Sequence, residues 1–200
     1  MIAIIDYGMG NLRSVHKAFE AVGVKAQVTS LVGDILQADQ VVLPGVGAMG
    51  PAMQKLQELH LTGPIRKVIQ DGKPFLGICL GLQLLFEKSS EGGFAEGLKI
   101  LKGSVERFSA LKVPHMGWNQ VQVQPGGAKL FQGLEPDENF YFCHSYFVKP
   151  QDTAIAAGIT NYGIDFVSAV VRDNVWGVQF HPEKSQKAGL QILKNFAGLK

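Results

Sequence analysis

Two hundred residues, of which 46% are hydrophobic and 18% charged, are enough to bury a core without disulfide bonds and are unlike a disordered chain. The net charge of +2 comes without a block of basic residues, so we expect neither nucleic acid nor a membrane surface as a partner. No apolar run reaches transmembrane length, and Asp6 ends the first apolar run too early for a signal peptide. We therefore expect a single domain, residues 1–200, in the cytoplasm, with Cys79 and Cys143 as reduced thiols.

The first half of the chain alternates short apolar strands with helical segments. Strands are predicted at residues 2–5, 24–29, 40–43 and 75–78, and helices at 12–22, 48–59, 64–70 and from 82 onward. This alternation predicts an α/β fold with a mostly parallel, doubly wound central sheet and flanking helices. Ligands bind such sheets beyond the carboxyl ends of the strands, and Gly8, Gly45 and Cys79 all fall at such ends.

The pattern changes after Phe86. A polar, glycine-rich loop is predicted at 89–97, and an amphipathic helix at 185–199 ends the chain. Between them, strands are predicted at 100–108, 118–123, 139–148, 154–159, 166–171 and 175–180. Apolar and polar residues alternate in several of these strands, which favours an antiparallel β-rich extension of the same domain.

The turn between the 75–78 strand and the next helix carries the strongest chemical signal. Gly77-Ile-Cys79-Leu-Gly81 is the cysteine version of the nucleophile elbow, a sharp strand-to-helix turn that presents its central side chain. The two glycines avoid collisions between the backbones of the turn. Cys79 would lie just ahead of a helix N-terminus, whose partial positive charge favours a thiolate. A structural cysteine in a glycine-rich turn is the alternative.

A thiol nucleophile needs a base, and the base needs a group that orients it. His181 and Glu183 are two residues apart, so in an extended segment their side chains point to the same side. Glu183 could then hold the ring nitrogen Nδ1 of His181 and leave Nε2 for Cys79. Pro182 favours an extended conformation at His181.

Other residues compete for these roles. His115 and His144 are rival bases, and Cys143 is a rival nucleophile. Cys143 lies in the aromatic segment Phe-Tyr-Phe-Cys, where no glycine would expose its sulfur, so we predict a buried core thiol.

An attack by Cys79 on a carbonyl would also need backbone N–H groups that stabilise the developing negative charge on oxygen. The elbow supplies the N–H of Leu80, the residue after the nucleophile. The glycine-flanked loop at 44–47 could supply a second donor from Val46 or Gly47, and its peptides are free enough to flip. A plain turn at the end of a strand is the alternative for this loop.

These three features together resemble the triad-type glutamine amidotransferases. Within that family, the chain more narrowly resembles the glutaminase subunits of imidazole glycerol phosphate synthases, through residues 6–14, 84–91, 114–119, 142–146 and 177–185. The elbow and the His-Pro-Glu segment are shared with sister families, so the specific parts are 114–119 and the N-terminal loop.

The resemblance implies that Cys79 attacks the side-chain amide of L-glutamine. His181 would protonate the departing ammonia and then activate water, with Glu183 as its orienting group. It implies no cofactor and no metal ion. The residues that it places around the head groups of glutamine are Gly45, Gly47, Gln83, Glu91, Ser145 and Tyr146.

The resemblance also implies a partner, a cyclase subunit with a (β/α)₈ barrel that receives the ammonia in a heterodimer. Positions expected near that interface are Asn11, Met116, Trp118, Tyr141 and Lys184. An exposed Met–Trp pair would suit a docking surface, although an ordinary core tryptophan is the alternative.

Three other functions stay open at this stage. The chain could be a glutaminase that feeds another synthase, such as one for anthranilate, aminobenzoate or a pyridoxal precursor. It could be a non-hydrolytic redox sensor or chaperone that uses Cys79 as a switch, although a sensor needs no oriented base. A flavodoxin-like binding module is less favoured, because the chain has no clear phosphate-binding loop.

Overall fold

The computed structural model describes residues 1–109 and 111–199, and in its first half strands and helices alternate. The strands are β1 (Ile2–Ile5), β2 (Ala26–Thr29), β3 (Gln40–Gly45) and β4 (Phe75–Cys79), and the helices are α1 (Leu12–Ala21), α2 (Val32–Gln37), α3 (Met49–Glu58), α4 (Thr62–Gln70) and α5 (Leu80–Leu84). The strands are parallel in the order β2-β1-β3-β4, which confirms the predicted sheet. Helix α2 was not predicted, because six residues with Ile35 as the one buried side chain show no helical periodicity.

The second half extends the same sheet. Its elements are β5 (Lys88–Ser89), β6 (Ala95–Glu96), β7 (Gly103–Arg107), β8 (His115–Gln120), β9 (Gln122–Val123), β10 (Asn139–His144), β11 (Tyr146–Pro150), β12 (Ala156–Asn161), β13 (Asp165–Arg172), β14 (Val175–Val178) and α6 (Gln186–Ala197). The order β4-β14-β13-β11-β7-β5-β6 continues the sheet, and β14 is parallel to β4. Strands β13 and β11 are antiparallel to their neighbours, which confirms the antiparallel extension.

Three predictions about this half were wrong. The predicted strand 118–123 is divided between β8, which pairs with β10, and β9, which pairs with β12 of the main sheet. The predicted strand 139–148 is broken at Ser145, so that β10 pairs with β8 in a separate two-stranded ribbon and β11 joins the main sheet. The predicted loop 89–97 contains part of β5 and all of β6, which pair with each other. A continuous apolar–polar pattern does not reveal where a strand changes its partner, and two-residue strands are too short to show any pattern.

The central strands are covered on both faces, which explains their continuous apolar runs. Ile2 and Ile4 of β1 pack into a core with α1 and α6, whereas Ala3 and Ile5 point the other way, into a core with α2, α3 and α4. Within the described residues, none of the helices combines the length and the hydropathy needed to cross a membrane.

Helix α5 packs directly against β3 at Gly81. A Cβ added at Gly81 would collide with the backbone carbonyl oxygen of Leu43. The start of α5 can therefore lie against the sheet only because position 81 has no side chain.

We predict that Gly81→Ala lowers the free energy of unfolding by about 1–3 kcal/mol, because the overpacked backbone of β3 cannot move aside. The control is Gly63→Ala in α4, where an added Cβ meets nothing within 4 Å. This control should leave the free energy of unfolding unchanged or raise it by up to about 1 kcal/mol. Urea unfolding measures both, and equal stability of the two variants would contradict the close packing of α5 on β3.

Candidate active site

The backbone at Cys79 has the unusual conformation that a nucleophile elbow requires. Cys79 ends β4 and caps α5 with φ +54° and ψ −108°, a conformation that non-glycine residues seldom adopt. A Cβ at Gly77 would lie 2.7 Å from the backbone of Gly81, so the turn is too tight for larger residues. The helix begins at Leu80, two residues earlier than predicted, which places the N–H of Leu80 in its first turn.

A cavity of about 250 Å³ opens at this edge of the sheet, beyond the carboxyl ends of β3 and β4. It brings together residues that are distant in the sequence. Of the residues predicted to form the site, those that line the cavity are Val46, Gly47, Cys79, Leu80, Gln83, Glu91, Ser145, Tyr146 and His181.

Gly45 is the exception among the residues predicted to surround glutamine. It is buried as the last residue of β3 and does not line the cavity. A Cβ at this position would collide with the hydroxyl of Tyr7, so Gly45 makes room for a buried phenol. The loop turns only after Gly45. The next two residues line the cavity: Val46 is 41% exposed, and Gly47 has a φ of +94°.

His181 donates a hydrogen bond from Nδ1 to Oε1 of Glu183 across 2.9 Å, and both side chains are buried. The second carboxylate oxygen, Oε2, has no partner within the described residues. The partners are those predicted, but the backbone differs, because residues 182–184 form a turn of 3₁₀ helix instead of an extended segment. Only His181 itself is extended.

The electrostatics of the site favour a protonated His181. Burial alone would lower its pKa. The hydrogen bond and negative charge of Cys79, together with those of Glu183, instead raise the pKa of His181 to about 10. An imidazolium beside the sulfur stabilises a thiolate. Cys79 and His181 can therefore act as a nucleophile and its proton donor.

The two rival bases are fully occupied by hydrogen bonds. His144 donates from Nδ1 to the carbonyl of Tyr146 across 2.8 Å, and its Nε2 accepts from Nδ1 of His115 across 2.9 Å. The remaining nitrogen of His115, Nε2, accepts from the amide of Asn119 across 3.1 Å. Burial lowers the pKa of His115 to about 4 and that of His144 to about 3, so both rings are neutral and have no nitrogen free for Cys79.

The prediction of a buried core thiol at Cys143 was wrong. Cys143 is half-buried and lines the cavity. Strand β10 belongs to the two-stranded ribbon, where its side chains alternate between two environments. Phe142 and His144 point inward, whereas Cys143 and Tyr141 point toward the more open side.

The cavity also holds groups that can recognise a charged ligand. Glu91 accepts a hydrogen bond through Oε2 from the backbone N–H of Met49, at the N-terminus of α3, across 2.9 Å. Gln83 donates from Nε2 to the carbonyl of Tyr146 across 2.9 Å and to Oε1 of Gln179 across 3.1 Å. Both hydrogens of this amide are used, so its Oε1 is the group that can reach a ligand. No group of three or more potential metal ligands is found among the described residues.

Gln179 was missed by the sequence analysis. Its Nε2 lies 3.6 Å from Sγ of Cys79, and its side chain is completely buried. Its position two residues before His181 on a predicted strand was an available signal, because the two side chains would then face the same side.

The residues predicted for an interface lie partly beside the cavity. Met116 is 61% exposed and Trp118 49% exposed, which rules out a core tryptophan at position 118. Trp118 makes an edge contact with the ring of Tyr141, and Nζ of Lys184 lies 5.6 Å above the same ring. Lys184 also lines the cavity, so this exposed group is continuous with the site. Asn11, at the N-terminus of α1, makes no capping hydrogen bond with its side chain.

The fold and the site agree with one class of protein. The family model for class-I glutamine amidotransferases matches residues 3–198, and the chain belongs to this family. It is a glutamine amidotransferase enzyme. Solved structures support the fold: the chain aligns over its whole length with a glutamine amidotransferase at TM-score 0.78 and 18% identity, covering 100% of both chains. It also aligns with PurLQS from Thermotoga maritima at TM-score 0.76 and 18% identity, covering 98% of this chain and 96% of the other.

The curated relatives point to a particular member of the family. The chain is 53% identical to imidazole glycerol phosphate synthase subunit HisH of Syntrophotalea carbinolica, over 100% of both chains. It is 53% identical to the same subunit of Moorella thermoacetica, over 99% of this chain and 94% of the relative. The corresponding subunit of Geobacter metallireducens is 52% identical, with 98% and 97% covered.

We predict that Glu183→Gln lowers the pKa of His181 from about 10 toward its ordinary value of 6.5, because one of its two negative neighbours is lost while Cys79, the larger influence, remains. The pKa of His181 in the unfolded chain is about 6.5, and below this pH its protonation contributes its full stabilisation to the folded chain. This contribution is lost as the pH rises toward 10, the pKa in the folded chain. The variant should therefore lose less stability than the parent between these two pH values.

Titration of the His181 ring by NMR and urea unfolding at both ends of this pH window measure the two effects. The control is Glu58→Gln, which removes an exposed carboxylate paired with Lys55. It should leave the titration of His181 unchanged. An unaltered titration in Glu183→Gln would show that the carboxylate does not set the charge of the ring.

Proposed function

We propose that this chain is the glutaminase subunit of an imidazole glycerol phosphate synthase and acts in histidine biosynthesis. It hydrolyses L-glutamine to glutamate and ammonia, and the ammonia is used by a cyclase subunit to form imidazole glycerol phosphate and aminoimidazole carboxamide ribotide. The observation that carries this proposal is that Cys79 and His181 line one cavity, with the buried side chain of Glu183 hydrogen-bonded to the His181 ring, in a chain 53% identical over its full length to such a subunit.

In the proposed reaction, the thiolate of Cys79 attacks the side-chain carbonyl carbon of glutamine. The protonated His181 gives its proton to the nitrogen, and ammonia leaves as the C–N bond breaks, so a thioester with Cys79 remains. The neutral His181 then takes a proton from water, whose oxygen attacks the thioester. The C–S bond breaks, so that glutamate is released and Cys79 leaves as a thiolate, while His181 keeps the proton that it took from water. The Cys79–His181 pair is thereby restored, and Glu183 keeps the ring oriented throughout.

Backbone N–H groups would stabilise the negative charge that develops on the carbonyl oxygen in each step. Leu80 supplies one such group at the start of α5, which is also the positive end of the helix. Val46 or Gly47 supplies the second. The positive φ of Gly47 shows that this loop uses conformations open to glycine, so we propose that a peptide of the 44–47 loop rotates to complete the oxyanion hole.

The other cavity residues would hold the amino-acid head group. The carboxylate of Glu91 suits the α-ammonium group of glutamine, and the free Oε1 of Gln83 is a second acceptor. Gly47, Ser145 and Tyr146 complete this binding site in our proposal.

We propose that the exposed group of Met116, Trp118, Tyr141 and Lys184, together with Asn11, forms the docking surface for a cyclase with a (β/α)₈ barrel. Exposed methionine and tryptophan are enriched in protein interfaces. Because Lys184 belongs to both the surface and the cavity, ammonia would leave the site toward the bound partner. We place this heterodimer in the cytoplasm, in keeping with two free cysteines.

We predict that the chain forms little glutamate from glutamine alone and much more when the cyclase and a phosphorylated ligand of the cyclase are added. Cys79→Ala should abolish glutamate formation in both cases, because it removes the sulfur that the elbow presents beside His181. Its circular dichroism spectrum and its binding to the cyclase should be preserved. Glutamate is measured by an enzyme-coupled assay, and turnover by Cys79→Ala would refute the role of this sulfur.

We predict that Trp118→Ala weakens cyclase binding by about 1–3 kcal/mol, since a large exposed aromatic side chain at the centre of an interface typically contributes this much. Calorimetric titration measures the affinity. Leu36→Ala, which shortens an exposed apolar side chain on α2, is the control and should bind normally. Equal affinities of the two variants would place the docking surface elsewhere.

A further inference from the structure

The nucleophile has a hydrogen-bond donor outside the Cys-His-Glu group. Nε2 of Gln179 lies 3.6 Å from Sγ of Cys79, a normal distance for a hydrogen bond to sulfur. The side chain of Gln179 is completely buried and that of Cys79 is 6% exposed, so bulk water does not compete for this contact. We propose that Gln179 donates this hydrogen bond in order to hold the sulfur in position and to stabilise the thiolate.

The orientation of the Gln179 amide follows from its neighbours. A backbone carbonyl only accepts, so Gln83 must turn its Nε2 toward the carbonyl of Tyr146, 2.9 Å away. The same Nε2 donates to Gln179 at 3.1 Å, so the atom of Gln179 that it meets is the oxygen Oε1. The NH₂ group of Gln179 is therefore the end that faces the sulfur.

The backbone also fixes Gln179 in place. Gln179 follows β14, which is parallel to β4, and Val178 of β14 is in register with Ile78, the residue before Cys79. The backbone N–H of Gln179 donates to the carbonyl of Ser168 across 2.8 Å. The amide thus approaches the sulfur from the neighbouring strand and leaves the opening of the cavity free for a ligand.

A neutral donor suits this position. Burial disfavours a thiolate, and hydrogen bonds to the charged form offset this penalty. A lysine or arginine in the same place would pair with the thiolate as a second cation and would compete with His181. An amide adds a hydrogen bond without adding a charge that would compete with His181 for the thiolate.

The test is the rate at which iodoacetamide alkylates Cys79 as a function of pH, with peptide mass spectrometry to separate Cys79 from Cys143. In Gln179→Met, which keeps the length of the side chain and loses the donor, we expect alkylation near neutral pH to slow by about tenfold and the pH profile to move up by about one unit. At high pH the variant should react at least as fast as the parent, because a less stabilised thiolate is more nucleophilic. A purely structural defect would not produce this crossing of the two profiles.

Gln179→Glu is the second variant, and it keeps the shape of the side chain if Gln179→Met fails to fold. One carboxylate oxygen still accepts from Gln83, and the other faces the sulfur and repels a thiolate, so alkylation near neutral pH should slow at least as much as in Gln179→Met. The matched control is Thr160→Val, which removes a buried 2.7 Å hydrogen bond to Ser168 on the neighbouring strand. It should leave the profile unchanged.

A parental profile in a folded Gln179 variant, or an equal shift in Thr160→Val, would overturn the proposal. The proposal rests on the proposed function only in taking Cys79 as the nucleophile, and alkylation needs neither glutamine nor the cyclase. Failure of the parent chain to hydrolyse glutamine with the cyclase would therefore defeat the proposed function alone. An unshifted alkylation profile would defeat the role of Gln179 alone.

Discussion

The positive charge on His181, held between Cys79 and Glu183, is the interaction on which the rest of the site depends. A buried imidazolium is stable only if its partners supply negative charge that offsets the cost of burial. The structure meets this condition. Glu183 directs one oxygen at the ring, and the two other histidines of the region are kept neutral by burial. The positive charge of His181 can therefore stabilise the thiolate of Cys79, which is the nucleophile of the cavity.

The sheet explains why residues so distant in sequence meet. Strands β4 and β14 are parallel neighbours in register, so both chains leave the sheet at the same edge. One exit is the elbow with Cys79, and the other leads through Gln179 to His181. Strand β3 lies on the other side of β4 and brings the 44–47 loop to the same edge. Three adjacent parallel strands thus supply the nucleophile, the base and a candidate oxyanion loop without any long-range adjustment of side chains.

Much of this could be predicted from the sequence, because parallel strands and sharp turns have local signatures. The strands of the first half were predicted to within two residues, and the elbow and its glycines were predicted at their observed place. The environment of Cys143 could not be predicted, because it depends on the break at Ser145, after which the chain passes from one sheet to another. The contact between Gln179 and Cys79 could not be predicted either. The orientation of the Gln179 amide depends on hydrogen-bond partners that come together only in the folded chain.

The neutral pair of His115 and His144 has a further consequence. Their hydrogen bonds run from Asn119 in the exposed ribbon to the carbonyl of Tyr146, and the same carbonyl orients Gln83. Every donor in this series points toward that single oxygen, which cannot pass a proton on. The series therefore has a structural role and is not a path for proton transfer. It links the outer ribbon and the buried amide of Gln83 to one backbone oxygen. A displacement of the Tyr146 carbonyl oxygen would therefore move groups both at the exposed ribbon and next to the sulfur of Cys79.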